Sequence, residues 1–148
     1  MNHPFFSVGF RTLFPLACIA GLALPLWWTL VYTGAVPPAL TFVQAPLQWH
    51  AHEMFFGFGW AALGGFLLTA TKNWVGVRGW HGGTLVFLAA AWVIDRLAMS
   101  FGAGWPPAVF WLATALFQLA IVTMLMLTLL QQKVRGGASD NYFFWIIL

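Results

Sequence analysis

Charge is scarce in this sequence. Asp, Glu, Lys and Arg together make up 6% of its 148 residues, and three of those side chains are acidic. A soluble domain carries about a quarter charged residues, so this chain lacks the polar groups to cover a water-facing surface. Cysteine is scarcer still. Cys18 stands alone, which excludes an internal disulfide, and its apolar surroundings mark it as a small core residue. Clustered basic residues are missing too. A net charge of +3, spread along the chain, cannot form a nucleic-acid-binding face. No nucleophile, general base or cofactor motif of an enzyme is visible, and whether the chain is an enzyme stays open.

What is abundant is apolar sequence: 61% of residues are hydrophobic and the mean hydropathy is +0.85. A spanning helix needs about 20 mostly apolar residues, and four segments qualify, at about 13–32, 49–71, 84–101 and 108–130. The first is too long for the core of a signal peptide. Trp27, Trp28 and Tyr32 form an interfacial belt at its far end, and Pro25 predicts a kink. The connectors "TGAVPPALTFVQAP", "KNWVGVRGWHGG", "GAGWPP" and "QQKVRGGASDN" are rich in Gly, Pro and polar residues. The expected architecture is all-α: a single transmembrane region of about four helices. After it, "YFFWIIL" begins a fifth apolar run too short to span. That run reads as the start of a fifth helix, and the chain as the N-terminal portion of a longer protein. A tail lying in the interface is the other reading.

Lys and Arg orient such a bundle. Arg11 precedes the first span, Lys72 and Arg78 follow the second, and Lys133 and Arg135 follow the fourth. The connectors after the first and third spans contain neither residue. This alternation places the N-terminus in the cytoplasm and His50, His52 and Glu53 at the outer end of the second helix.

Those three residues sit in "QWHAHEM", at the mouth of an oily segment. On a regular helix His50, Glu53, Met54, Gly57, Ala61 and Gly64 share one face. The small residues either let a neighbouring helix approach or leave a slot beside His50 for a planar ligand such as haem. His52 lies about 200° around from His50. The two can therefore share a metal only if the helix begins after them. Phe56 stands where the second histidine of a zinc-protease motif would be, which rejects that activity. Met54 and Met99 add thioethers to the imidazoles, a set that suits copper. The bland alternative is an interfacial polar cap, with Glu53 paired to Arg96 near the outer ends of their helices. His81 lies roughly 30 Å away across the hydrocarbon and cannot be a second axial ligand to the same haem. His3 carries no signal.

The stretch Trp49-His50-Ala51-His52-Glu53-Met54, followed by Phe56-Gly57-Phe58, "GGFLLTA" and Asn73-Trp74-Val75-Gly76, resembles the NnrS family. Gly9-Phe10-Arg11 and Asp140-Asn141-Tyr142-Phe143 extend the likeness to nearly the whole chain. Thr71-Lys72 departs from a Val-Pro-like pair, and Asp95 before Arg96 is atypical. The resemblance implies a polytopic protein of the bacterial inner membrane, longer than this chain. It also implies association with haem and copper and a part in the response to nitric oxide. His50 or His52 then becomes the axial ligand, with Met54 as a further metal ligand. Gly57 lines the cofactor slot, Arg96 clamps a propionate, and Glu53 and Asp95 stand behind the ligands. The expected partners are membrane lipid, nitric oxide as a small ligand, and further helices or a partner subunit. The alternative is a non-haem transporter-like or assembly-factor module, with the histidines as a proton or metal relay.

Overall fold

The computed structural model describes residues 4–36 and 44–134. His3, Arg135, the Asp140–Phe143 motif and the "YFFWIIL" run lie outside them, as do the side chains of Lys72, Asn73 and Lys133. Helix α1 covers Gly9–Tyr32. Helix α2, Pro46–His52, runs through a π-helical turn, Glu53–Gly59, into α3, Trp60–Val75. Helices α4, Gly83–Phe101, and α5, Pro107–Val134, follow. Four spans are long and apolar enough to cross a membrane: Gly9–Tyr32, Pro46–Thr71, Gly83–Gly104 and Pro107–Gln131. The protein is a polytopic transmembrane helical bundle.

The helices begin before the hydropathy does. Pro46 and Pro107 occupy first-turn positions, where a missing N–H costs nothing and the fixed φ suits a helix. Helix α1 starts four residues ahead of the apolar run because tertiary contacts hold its entry. The Phe10 N–H donates to Thr69 Oγ1 at 2.9 Å, and the Thr12 hydroxyl donates to the Phe5 carbonyl at 2.8 Å. The helix is continuous through Pro15 and Pro25. A C-terminal glycine in the left-handed region, Gly76 at φ +64°, ends α3.

Each helix buries one stripe. In α5 it reads Ala113, Phe117, Ile121, Leu125, Thr128, the i, i+4 spacing of a packed face. In α4 it reads Leu85, Leu88, Trp92, Asp95, Arg96, Met99, so this helix carries its two charges inward. The opposite surfaces present Leu22, Leu26, Phe66 and Leu119 outward, as a lipid-facing surface requires. Cys18 points outward as well. The core position expected of it belongs to Ala17 and Ala20 on the other side of α1.

Contacts define two ends. At one, the Gly82 N–H donates to the Phe6 carbonyl at 2.7 Å. There the Trp80 indole donates to Thr128 Oγ1 at 3.0 Å. At the other, Trp49 and Met99 bury each other beneath Trp27, Trp28 and Phe110. That is the end carrying the histidines.

Small residues set the helix spacing. A Cβ at Gly9 would lie 2.8 Å from Leu68 Cβ, and one at Gly64 would lie 2.5 Å from Ile121 Cδ1. The first neighbour is fixed to its backbone, whereas the second is the tip of a flexible chain. Gly9→Ala should therefore destabilise by about 1–3 kcal/mol, the usual cost of overpacking, and Gly64→Ala by clearly less. Unfolding of both variants in mixed micelles checks the order.

Candidate functional site

The histidine end is shaped by the backbone between α2 and α3. The Trp60 N–H bonds the Phe55 carbonyl, five residues back, which widens the turn. The sequence Glu-Met-Phe-Phe-Gly-Phe-Gly tolerates this because its glycines clear the inner side. A Cβ at Gly59 would stand 3.3 Å from the Met54 carbonyl. The Trp92 indole N–H of α4 donates to the Gly57 carbonyl at 2.8 Å. Single π turns inside α-helices are rare and concentrate at functional sites.

Glu53 opens the widened turn and is fully buried. Its Oε2 lies 3.1 Å from Arg96 Nε, so the ion pair expected from the sequence is present. Arg96 Nη2 donates to Asp95 Oδ2 at 2.5 Å, and Gln118 Nε2 of α5 donates to the same oxygen at 3.1 Å. The guanidinium carbon sits 5.7 Å from the Trp92 ring centre, within cation–π range. Two carboxylates, one guanidinium and one amide thus join three elements inside the bundle.

That cluster fills the space read from the sequence as a cofactor slot. A Cβ at Gly57 would collide with Arg96 Nη1 and lie 2.8 Å from Glu53 Oε2. The same stripe further along meets Ile121 at Gly64 and Leu13 at Gly65. The small residues are contact points for a guanidinium and two helices. Arg96 faces inward to two carboxylates, with Nη2 bonded to Asp95, while Nη1 has no hydrogen-bond partner among the described residues.

The histidines sit on the rim of this cluster. Helix α2 already includes both His50 and His52, so the non-helical entry that would let them share a metal is absent. The His50 ring stacks on Trp28 with centroids 4.4 Å apart, and Trp28 stacks on Tyr32 at 5.0 Å. The His52 ring lies 4.8 Å from that of Phe56, and its Nδ1 is 3.6 Å from Glu53 Oε1. Both Nδ1 atoms are buried without a hydrogen-bond partner among the described residues. Met54 is half-buried within the π turn, and Met99 is a core residue against Trp49. His81 is exposed at the other end, its Nδ1 2.9 Å from the Gly79 carbonyl. Among the described residues no three His, Cys, Asp or Glu side chains converge as a metal site.

Two contributors were not singled out by sequence reasoning. Gln118 is an amide in an otherwise apolar stretch of a spanning helix, and that alone is a signal for an inward polar role. Trp92 carried no such signal, because its hydrogen bond depends on a carbonyl that the π turn presents.

The sequence profile of the family described as NnrS protein matches residues 4–148. No curated protein and no solved structure matches the chain.

The charge cluster makes a quantitative prediction. Removing one member of a buried pair costs about 3–5 kcal/mol because its partner is left uncompensated. Arg96→Leu strands two carboxylates and should be the most damaging single change. Adding Glu53→Gln, and then Asp95→Asn, should recover stability stepwise. Unfolding of the single, double and triple variants in micelles measures this, and purely additive losses would rule the coupling out.

Proposed function

We propose, from the premise that this chain belongs to the NnrS family, that it binds haem and copper and serves the response to nitric oxide. The setting is the bacterial inner membrane. One observation carries the reading: two imidazoles lie at one end of a membrane-spanning bundle, each with a buried Nδ1 that has no hydrogen-bond partner among the described residues. Uncommitted imidazole at this end of the bundle would be able to hold a haem iron. It does not make a complete copper centre, since too few ligands converge among the described residues. The remaining ligands would come from other segments or from a partner subunit, with Met54 the nearest thioether in sequence. Haem, held there by His50 or His52, would supply the chemistry of nitric oxide binding.

The chain's own residues hold and shield that position. His50 or His52 offers a ring nitrogen. Trp28 and Phe56 cover the ring faces, and Glu53 stands behind His52. Gly57 admits the Arg96 guanidinium that supports Glu53, and Asp95 holds the far side of that guanidinium. Nitric oxide is small, uncharged and lipid-soluble, so it reaches a site at this depth from both the bilayer and the outer aqueous phase. The buried ionic cluster favours a second reading, a transporter-like module with a polar relay and no haem. An absorption spectrum separates the two.

On the first reading, purified protein shows a Soret band and visible bands that respond to nitric oxide. The double variant His50→Ala/His52→Ala loses both, and its copper, while still fractionating with membranes. Full retention of haem and copper in that variant would move the cofactor site elsewhere.

The proposed orientation puts the N-terminus in the cytoplasm and the histidines outside. In a Cys18→Ala background, Gly104→Cys should react with an impermeant thiol reagent added to intact cells or right-side-out vesicles. His81→Cys should react only after the membrane is opened. The reverse pattern would invert the topology.

A further inference from the structure

The end of the bundle opposite the cluster carries charge that the protein does not answer. Arg78 and His81 are exposed in the loop between α3 and α4. Arg78 makes no ion pair among the described residues. The chain has three acidic residues. Glu53 and Asp95 are buried in the cluster at the histidine end, and Asp140 lies outside the described residues. No described carboxylate is therefore available to Arg78.

Beside this loop an apolar groove runs along the surface of α4 and α5. Its volume is about 370 Å³, and its walls include Trp80, Phe87, Leu116, Ala120, Thr123 and Leu127. Trp80, two residues from Arg78, stands at the loop end of the groove. Its indole is held by hydrogen bonds to the Met124 carbonyl at 3.2 Å and to Thr128 Oγ1 at 3.0 Å. Phe87 and Leu127 are 45% and 42% exposed, so the groove opens toward lipid. From Leu127 to Leu116 it follows α5 for about 16 Å, at 1.5 Å per residue. Half of a hydrocarbon core is about 15 Å. The groove thus has the length of one acyl chain in one leaflet, and it begins at the unanswered cation. Basic groups beside clefts between spanning helices are a recurring seat for anionic headgroups. We propose that this groove binds one anionic phospholipid. An acyl chain lies against α4 and α5, and the phosphate meets Arg78, with His81 as a further polar neighbour. The site is independent of the cofactor reading.

The test places the full chain in phosphatidylcholine nanodiscs that contain a small fraction of a photoactivatable lipid, with a diazirine on one acyl chain. The probe is supplied either as phosphatidylglycerol or as phosphatidylcholine. After irradiation, peptide mapping should find the phosphatidylglycerol label on residues 116–127. It should exceed the label on the exposed face of α1 around Leu22 and Leu26. The phosphatidylcholine probe should show no such preference. Arg78→Gln should lower the phosphatidylglycerol label in the groove by about fivefold, the worth of one basic residue at an anionic surface. The label on α1 should stay unchanged. Thr123→Phe narrows the groove and should lower its label with Arg78 still in place.

Both substituted side chains are exposed, so neither change disturbs the core. If Thr123→Phe does not insert, Arg78→Gln alone decides. Equal labelling of the groove by the two probes overturns the proposal. So does a phosphatidylglycerol label that survives Arg78→Gln undiminished. A groove that neither probe reaches is closed to lipid, and the proposal falls. In that case a cross-link between Leu127→Cys and Phe144→Cys, in a Cys18→Ala background, would identify the apolar run after the fourth span as the occupant.

Discussion

A guanidinium held between two carboxylates inside an apolar bundle is the constraint around which the rest of the protein is arranged. Insertion scales put a charged residue at mid-membrane at about 2.5–3.5 kcal/mol, and a chain with so few charges has placed three of them here. Glu53 and Asp95 are both fully buried, and Arg96 is nearly so. Such a cluster adds little net stability over well-packed apolar residues. What it does is fix geometry. The Trp92 ring, the Gln118 amide and the bare Cα of Gly57 each accommodate one side of it.

The π turn belongs to the same arrangement. A regular helix from Pro46 to Val75 would carry one register from end to end. The wide turn breaks it at Glu53, so that the histidine-bearing segment and the α3 packing face are set separately. Helix α3 is then free to bury Ala61, Leu68 and Thr71 at the spacing its neighbours require. Helix α2 meets Trp28 in its own register, through His50. The Trp92 indole, bonded to the Gly57 carbonyl, ties that break to α4.

Much of this was legible from residues alone. The four spans follow from apolar run length, and the Glu53–Arg96 pair follows from two isolated charges at the same depth on consecutive spans. Helix starts were less legible. Hydropathy marks where lipid begins, whereas α1 is set by contacts from Phe10 and Gly9 to Thr69 and Leu68. The glycine stripe was legible as a line of small residues, but a pattern of absences does not say what fills them. Arg96 lies against Gly57 and Ile121 against Gly64. Asp95 was expected to stand behind the ligands with Glu53, but its partners were not legible. Neighbouring charges on a helix point about 100° apart, and only the Gln118 amide on another helix shows that both face the interior. Cys18 illustrates the reverse: in lipid an apolar context no longer distinguishes core from surface, because both sides of a helix are oily.

The distribution of the cluster along the chain bears on how the protein is made. Its first carboxylate lies on the second span, and its single cation lies on the third. A bilayer receiving these segments in order of synthesis meets Glu53 before any counter-ion exists for it. The second span therefore carries a carboxylate whose cation comes only with the third. Gln118 closes the set from the fourth. Assembly is thus written into the primary structure as a sequence of debts settled between consecutive helices, and they are settled at the end of the bundle where the histidines lie.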